Sequence, residues 1–204
     1  MHAKPRLVTL ALALTLALPL PLTGRAETQP PGAPIAALSG DWNGDAASDA
    51  VLLVRAADGM ADLVLYQGNP EEGLQPLITL PGAISAGPLA GSAPALESRG
   101  ERGFAIVTQQ TGFGRTPWTQ AVTVAFRNGT YMVAGFDYDF YDRLDLSHYG
   151  GCSVNLLTRQ FTLTLGPGNE AAEIHRAGPT EDGAFPLARM TDGYWPAACD
   201  DLMR

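Results

Sequence analysis

The chain has a single lysine, Lys4, and it falls within the first 26 residues. Beyond it no ε-amino group is available for a Schiff base or for the lysine of a phosphate-cradling loop. Histidine is nearly as scarce. Only His148 and His175 follow residue 26, and neither stands in an H-x-x-x-H or C-x-x-C setting, which argues against a catalytic zinc site. No G-x-S-x-G segment is present, so the nucleophile elbow of α/β-hydrolases is missing as well.

Long apolar runs are also few. The one that exists spans residues 7–22, follows Lys4 and Arg6, and closes on Gly24-Arg25-Ala26. A basic start, an apolar centre and small residues at the cleavage positions describe an export signal cut after Ala26. Pro19 and Pro21 interrupt the run, which argues against a membrane anchor, and no cysteine follows it to accept a lipid. The expected mature chain is therefore free in the periplasm or secreted, with no membrane insertion once the signal is removed. Residues 27–33 read as a flexible, proline-rich leader and residues 34–204 as one domain.

Removing residues 1–26 takes away three of the 13 basic residues and none of the 21 acidic ones, so the net charge of −8 becomes −11. That charge repels phosphate backbones and excludes nucleic acid as the expected partner; an unidentified envelope component is the alternative. The two cysteines, Cys152 and Cys199, have one intramolecular pairing, and an oxidising compartment favours it. The competing reading makes Cys152 a reactive thiol with nearby His148 as its base.

The 23 glycines and 16 prolines point to many turns and few long helices. Between them lie short apolar stretches. Residues 50–55 and 60–67 flank Asp58-Gly59 as a hairpin, residues 74–80 suit an edge strand because of Pro76, and strands are expected near 95–98 and 104–109. The clearest pattern spans 118–136. Trp118, Gln120, Val122, Val124 and Phe126 alternate with Thr119, Ala121, Thr123, Ala125 and Arg127, and Asn128-Gly129 supplies the two positive-φ positions of a type I′ turn. That turn also accounts for the Asn128-Gly129-Thr130 glycosylation sequon. Residues 153–157 and 160–165 read as a further strand or hairpin, residues 171–176 as a short strand or a helical turn, and a terminal turn is expected after Pro196. The expected fold is mainly β, with antiparallel hairpins forming a sandwich or a curled sheet.

One loop carries metal-ligand spacing. Asp41, Asn43, Asp45 and Asp49 occupy positions 1, 3, 5 and 9, with the carbonyl of Ala47 at position 7, a spacing that wraps oxygens around a hard cation such as calcium. An EF-hand needs an acid at position 12, where Leu52 stands. Ala46 occupies position 6, where such loops use glycine, so the turn is expected to be strained and the site weak. The segment SGDWNGDAASDAVLLV, residues 39–54, resembles the calcium loops of FG-GAP or VCBS-type repeats, in which the loop runs directly into a hydrophobic strand. The resemblance implies a structural calcium ion. It covers about 16 residues and one loop only, so the multi-blade propeller and adhesion of that family do not follow. Together with Gly150-Gly151-Cys152 and the later Asn155-Leu156-Leu157-Thr158, the layout also resembles small exported bacterial proteins to which no activity attaches.

Residues 136–145 interleave aromatic and acidic side chains. Asp137 and Asp139 fall on one strand face and Phe136, Tyr138 and Phe140 on the other. This reads as a solvated face over an aromatic core, or as the carboxylate pair of a glycosidase. The function expected is a non-catalytic binding or structural module stabilised by calcium. The alternative is an envelope hydrolase acting on carbohydrate or ester through the 137–145 carboxylates or His148.

Overall fold

A computed structural model describes residues 32–87, 91–168 and 172–203. The export-signal reading and most of the leader lie outside these residues. Gly32 and Ala33 of the expected leader already exchange backbone hydrogen bonds with Arg55, at 2.6 and 2.8 Å.

Among the described residues, alternating apolar side chains build twelve strands. β1 (Pro34–Gly40), β2 (Asp49–Arg55), β3 (Met60–Asn69) and β4 (Gly73–Ser85) pair in chain order as a four-stranded antiparallel sheet. The second sheet contains β5 (Ala95–Ser98), β6 (Gly103–Gln110), β7 (Trp118–Arg127), β8 (Thr130–Tyr141), β9 (Tyr149–Asn155), β10 (Gln160–Leu165) and β11 (Ile174–Pro179), again in chain order. The two-residue β12 (Phe185–Pro186) pairs with Met132 and Val133 of β8, beside the stretch that pairs with β9. The mainly β, antiparallel fold expected from the sequence is thus present, as two sheets with no closed barrel.

One hydrophobic cluster joins the inner faces of both sheets. Val51 and Leu53 on β2 and Ala61, Leu63 and Leu65 on β3 are fully buried at every second position, the alternation that period-two burial demands. Phe104, Tyr131, Val133 and Phe136 answer from the large sheet. The switch from odd to even numbers on β8 has a cause. Thr123 pairs with Gly135 and Val124 with Val133, so Ala134 is an extra residue. This bulge reverses the side-chain parity of β8. Phe136 therefore turns into the core, and Asp137 and Asp139 take the other face.

The Asn128-Gly129 turn has φ of 51° and 76°, as its type requires. The sequence-based edge strand at 74–80 is an edge strand, β4, but it runs on through Pro81 to Ser85. A register shift between Ala61 and Leu63 accommodates it, and the carboxylate of Asp62 accepts the Gly82 N–H at 2.8 Å. Among the described residues no helix is long and apolar enough to cross a membrane.

Cys152 on β9 and Cys199 in the terminal 3-10 segment Ala197–Met203 form a disulfide, with Cα atoms 5.7 Å apart and both residues buried. No free thiol remains among the described residues, so the nucleophile reading of Cys152 is closed. Trp195, just upstream, packs edge-on against Phe136 and Tyr138, and Tyr138 sits directly across the ladder from Cys152. A cross-link spanning 47 residues restricts the unfolded chain by about 4 kcal/mol in the chain-entropy treatment. Replacing both cysteines with alanine is expected to lower the unfolding free energy by roughly 2–5 kcal/mol. Urea denaturation measures this, and a loss below about 1 kcal/mol would show that the tail is held by packing alone.

Candidate functional site

The aspartate turn between β1 and β2 is organised by its own carboxylates. Asp41 Oδ1 accepts the N–H groups of Gly44 at 2.8 Å and Asp45 at 3.0 Å, and Oδ2 accepts that of Ala46 at 3.0 Å. Asp45 Oδ1 accepts the Ala47 N–H at 2.8 Å, and the Asn43 amide donates to Asp45 Oδ2 at 2.6 Å. Ala46 has φ of 68°, the left-handed conformation that glycine adopts without cost. The strain expected at position 6 is therefore present.

Asp49 stands apart from the rest of the set. Asp41 and Asp45 are exposed, whereas Asp49 is fully buried. Its Oδ2 accepts the Trp42 N–H at 3.2 Å and the Tyr131 hydroxyl at 2.6 Å, and its Oδ1 accepts the Gly68 N–H at 3.0 Å. Both oxygens are thus engaged by protein donors drawn from the turn, from β3 and from β8. Burial, then the hydrogen bond to Asp49, pushes the Tyr131 hydroxyl well above its ordinary pKa, so it remains a donor. Gly68 is required by space as well. A Cβ there would come within 2.5 Å of the Ser48 carbonyl oxygen. Trp42 folds back over Gly40 and packs on Phe104 of the opposite sheet with ring centroids 4.8 Å apart. Among the described residues no three His, Cys, Asp or Glu side chains gather closely enough to hold a metal ion.

Asp137 and Asp139 share the outer face of β8, as the alternation predicts. Ser153 Oγ donates to Asp137 at 2.7 Å, while loss of hydration and then the Asp137 charge push Asp139 upward. His148 is not with them. It lies against Phe140, with centroids 5.4 Å apart, and its Nδ1 is 3.7 Å from Asp142. Asp142 is the buried anchor of that end. It takes Arg115 Nε at 2.6 Å and the N–H groups of Leu144 and Asp145, and these hold its carboxyl at about 2.

Two clefts open on the outer face of the large sheet. One, of about 520 Å³, lies beside Arg99, Arg102 and Arg127. The other, of about 500 Å³, is lined by Asp137, Asp139, Tyr149, Thr162 and Thr164, and they share Asp137 and Ser153. At the rim of the second, Thr164 Oγ1 is 3.2 Å from His175 Nδ1, and His175 Nε2 is 3.0 Å from Glu173, which also accepts from Tyr149. Sequence reasoning missed this row because Thr164 and His175 meet only through the β10–β11 register. Comparison with protein-family models, with curated proteins and with solved structures gives no match, so the functional reading rests on this chain's own residues.

Removing the Tyr131 hydroxyl in Tyr131→Phe leaves a buried carboxylate oxygen short of a donor and is expected to cost about 1.5–3 kcal/mol. Asp49→Ala, which strands three donors, should cost more. Equal stability of Tyr131→Phe and the parent in urea would contradict the role assigned to this bond. Asp142 has its folded pKa below its unfolded one, so its contribution is present above the ordinary carboxylate range. It is lost as the pH falls from about 4 through about 2. Melting curves over that interval should be less steep in pH for Asp142→Asn than for the parent.

Proposed function

We propose that the chain is an exported, non-catalytic binding or structural module whose aspartate turn takes calcium. The observation that carries this is the separation of His148 from the Asp137 and Asp139 carboxylates. Asp137 is held by Ser153, while His148 is held at Asp142 beside Phe140, on the other face of β8. Acid–base catalysis needs its groups within reach of one bond, whereas recognition can use the open outer face as it stands. The disulfide supports the extracytoplasmic assignment.

The calcium reading is supported by the ligand spacing and by the turn that gathers Asp41, Asn43 and Asp45. Those three side chains and the Ala47 carbonyl would hold the ion, water completing the six to eight oxygens it requires. Asp49, spent on the core, contributes little. An affinity on the order of 1 mM follows from so few protein ligands. At 10 mM calcium such a site stabilises by about 1.4 kcal/mol, which corresponds to a melting rise of about 3–5 °C. Chelator should remove the rise, Asp45→Ala should abolish it, and Ala46→Gly should raise the melting temperature with and without calcium by relieving the left-handed alanine. No shift with 10 mM calcium would sink the metal site.

A second reading, a hydrolase of envelope carbohydrate or ester, is favoured by the second cleft. There Asp139 is raised beside Asp137, and Thr164, His175 and Glu173 stand in the order of nucleophile, base and orienting acid. Incubation with chromogenic esters, chromogenic glycosides and isolated envelope material separates the two. A binding module releases no product. Turnover that disappears in Asp139→Asn or His175→Ala would establish the hydrolase.

A further inference from the structure

The cleft beside the arginines has a floor of strand backbone and small residues, including Gly103, Ala125 and Gly135. Its rim brings Arg99 and Arg102 from the β5–β6 turn together with Arg127 at the end of β7. Three of the nine arginines between residues 32 and 203 thus line one cleft in a chain rich in acid, and the Arg102 guanidinium reaches from its rim to Gly44 of the aspartate turn. Glu97 takes Arg99 at 3.2 Å, and Glu101 and Asp137 also line the cleft. Arg102 and Arg127 are different. Among the described residues neither has a carboxylate within ion-pair distance, and Arg127 donates only to the neighbouring Phe126 carbonyl at 2.7 Å. Guanidinium groups that line a cleft without a paired carboxylate are open to an anion, and their planar forks match carboxylate and phosphate oxygens.

The opposite wall supplies neutral recognition. Asn155 Oδ1 accepts the N–H groups of Leu157 and Thr158 at 3.1 and 3.0 Å, which fixes the side chain and leaves its amide donors without a protein partner among the described residues. Asp137, braced by Ser153, offers acceptor oxygens. Among the described residues no aromatic ring lines the cleft, so recognition there depends on charge and hydrogen bonds rather than stacking. We propose that this cleft binds the carboxylate or phosphate of a hydroxyl-bearing ligand, the anion at Arg102 and Arg127 and the hydroxyls at Asp137 and Asn155. This deepens the binding-module reading and rests on it.

Titration of the full mature chain at low salt with D-glucuronate, glycerol 3-phosphate and D-glucose, followed by amide chemical shifts and calorimetry, tests the assignment. At least one of the two anions is expected to bind and to shift the amides of Thr123, Ala125 and Gly135, with glucose inert and added salt weakening the effect. The preferred anion identifies the carboxylate or the phosphate source. The double variant Arg102→Gln/Arg127→Gln should lose at least tenfold in affinity with its melting temperature unchanged, since both side chains are exposed. Absence of shifts at those amides, or undiminished binding by the folded double variant, would overturn the site and leave the binding-module reading standing. Turnover of a bound probe would instead overturn that reading and leave the site.

Discussion

A carboxylate withdrawn from water is costly, and the Asp49 side chain is withdrawn completely. What offsets the cost is the origin of its three donors: Trp42 in the aspartate turn, Gly68 on β3 and Tyr131 on β8. The first two tie the turn to its own sheet. The third crosses the core, 82 residues away in sequence, and ties the small sheet to the large one. Several local features follow from that arrangement. Gly68 leaves room for the Ser48 carbonyl, the Trp42 backbone is fixed, and the Trp42 indole is thereby set against Phe104. The aspartate turn is in this sense part of the core's polar framework as well as a surface loop.

This dual position explains why the turn reads as a metal site from sequence. Asp41, Asn43 and Asp45 at positions 1, 3 and 5 serve the turn itself by accepting backbone N–H groups, with the same oxygens that a calcium loop presents to its ion. Spacing alone does not separate the two uses. The third aspartate, Asp49, at the first position of a hydrophobic strand, is where they diverge, because a residue there points either back to the loop or into the core. Its partner Tyr131 lies on another sheet, and no local pattern announces it.

The strands were legible where full burial recurs at every second position, as at Ala61, Leu63 and Leu65 on β3, and wherever a turn needs positive φ, as at Asn128-Gly129. The cysteine pairing was legible because two thiols in an oxidising compartment have one solution. Less visible were features that arise between segments. The continuation of β4 past Pro81 depends on the Asp62–Gly82 bond, and the row from Thr164 to Glu173 depends on register. The arginine cleft joins two turns that sequence reading treats separately.

The bulge at Ala134 decides what the large sheet shows to solvent. Without the extra residue, Tyr131 and Val133 would share a face with Asp137 and Asp139, and the core would have to accept two more carboxylates. With it, Phe136 and Tyr138 pack against Trp195, and the acids stand outward beside Gly151 and Ser153. The same reversal places Gly135 in the floor of the arginine cleft, where it adds no side chain. One face therefore carries arginines at one end and aspartates at the other, with Asp137 and Ser153 common to both clefts. Such a strip is polarised along its length. A ligand lying across it gains most when its anionic group is at the Arg127 end and its hydrogen-bond donors are at the Asp139 end, so charge sets the direction in which it lies.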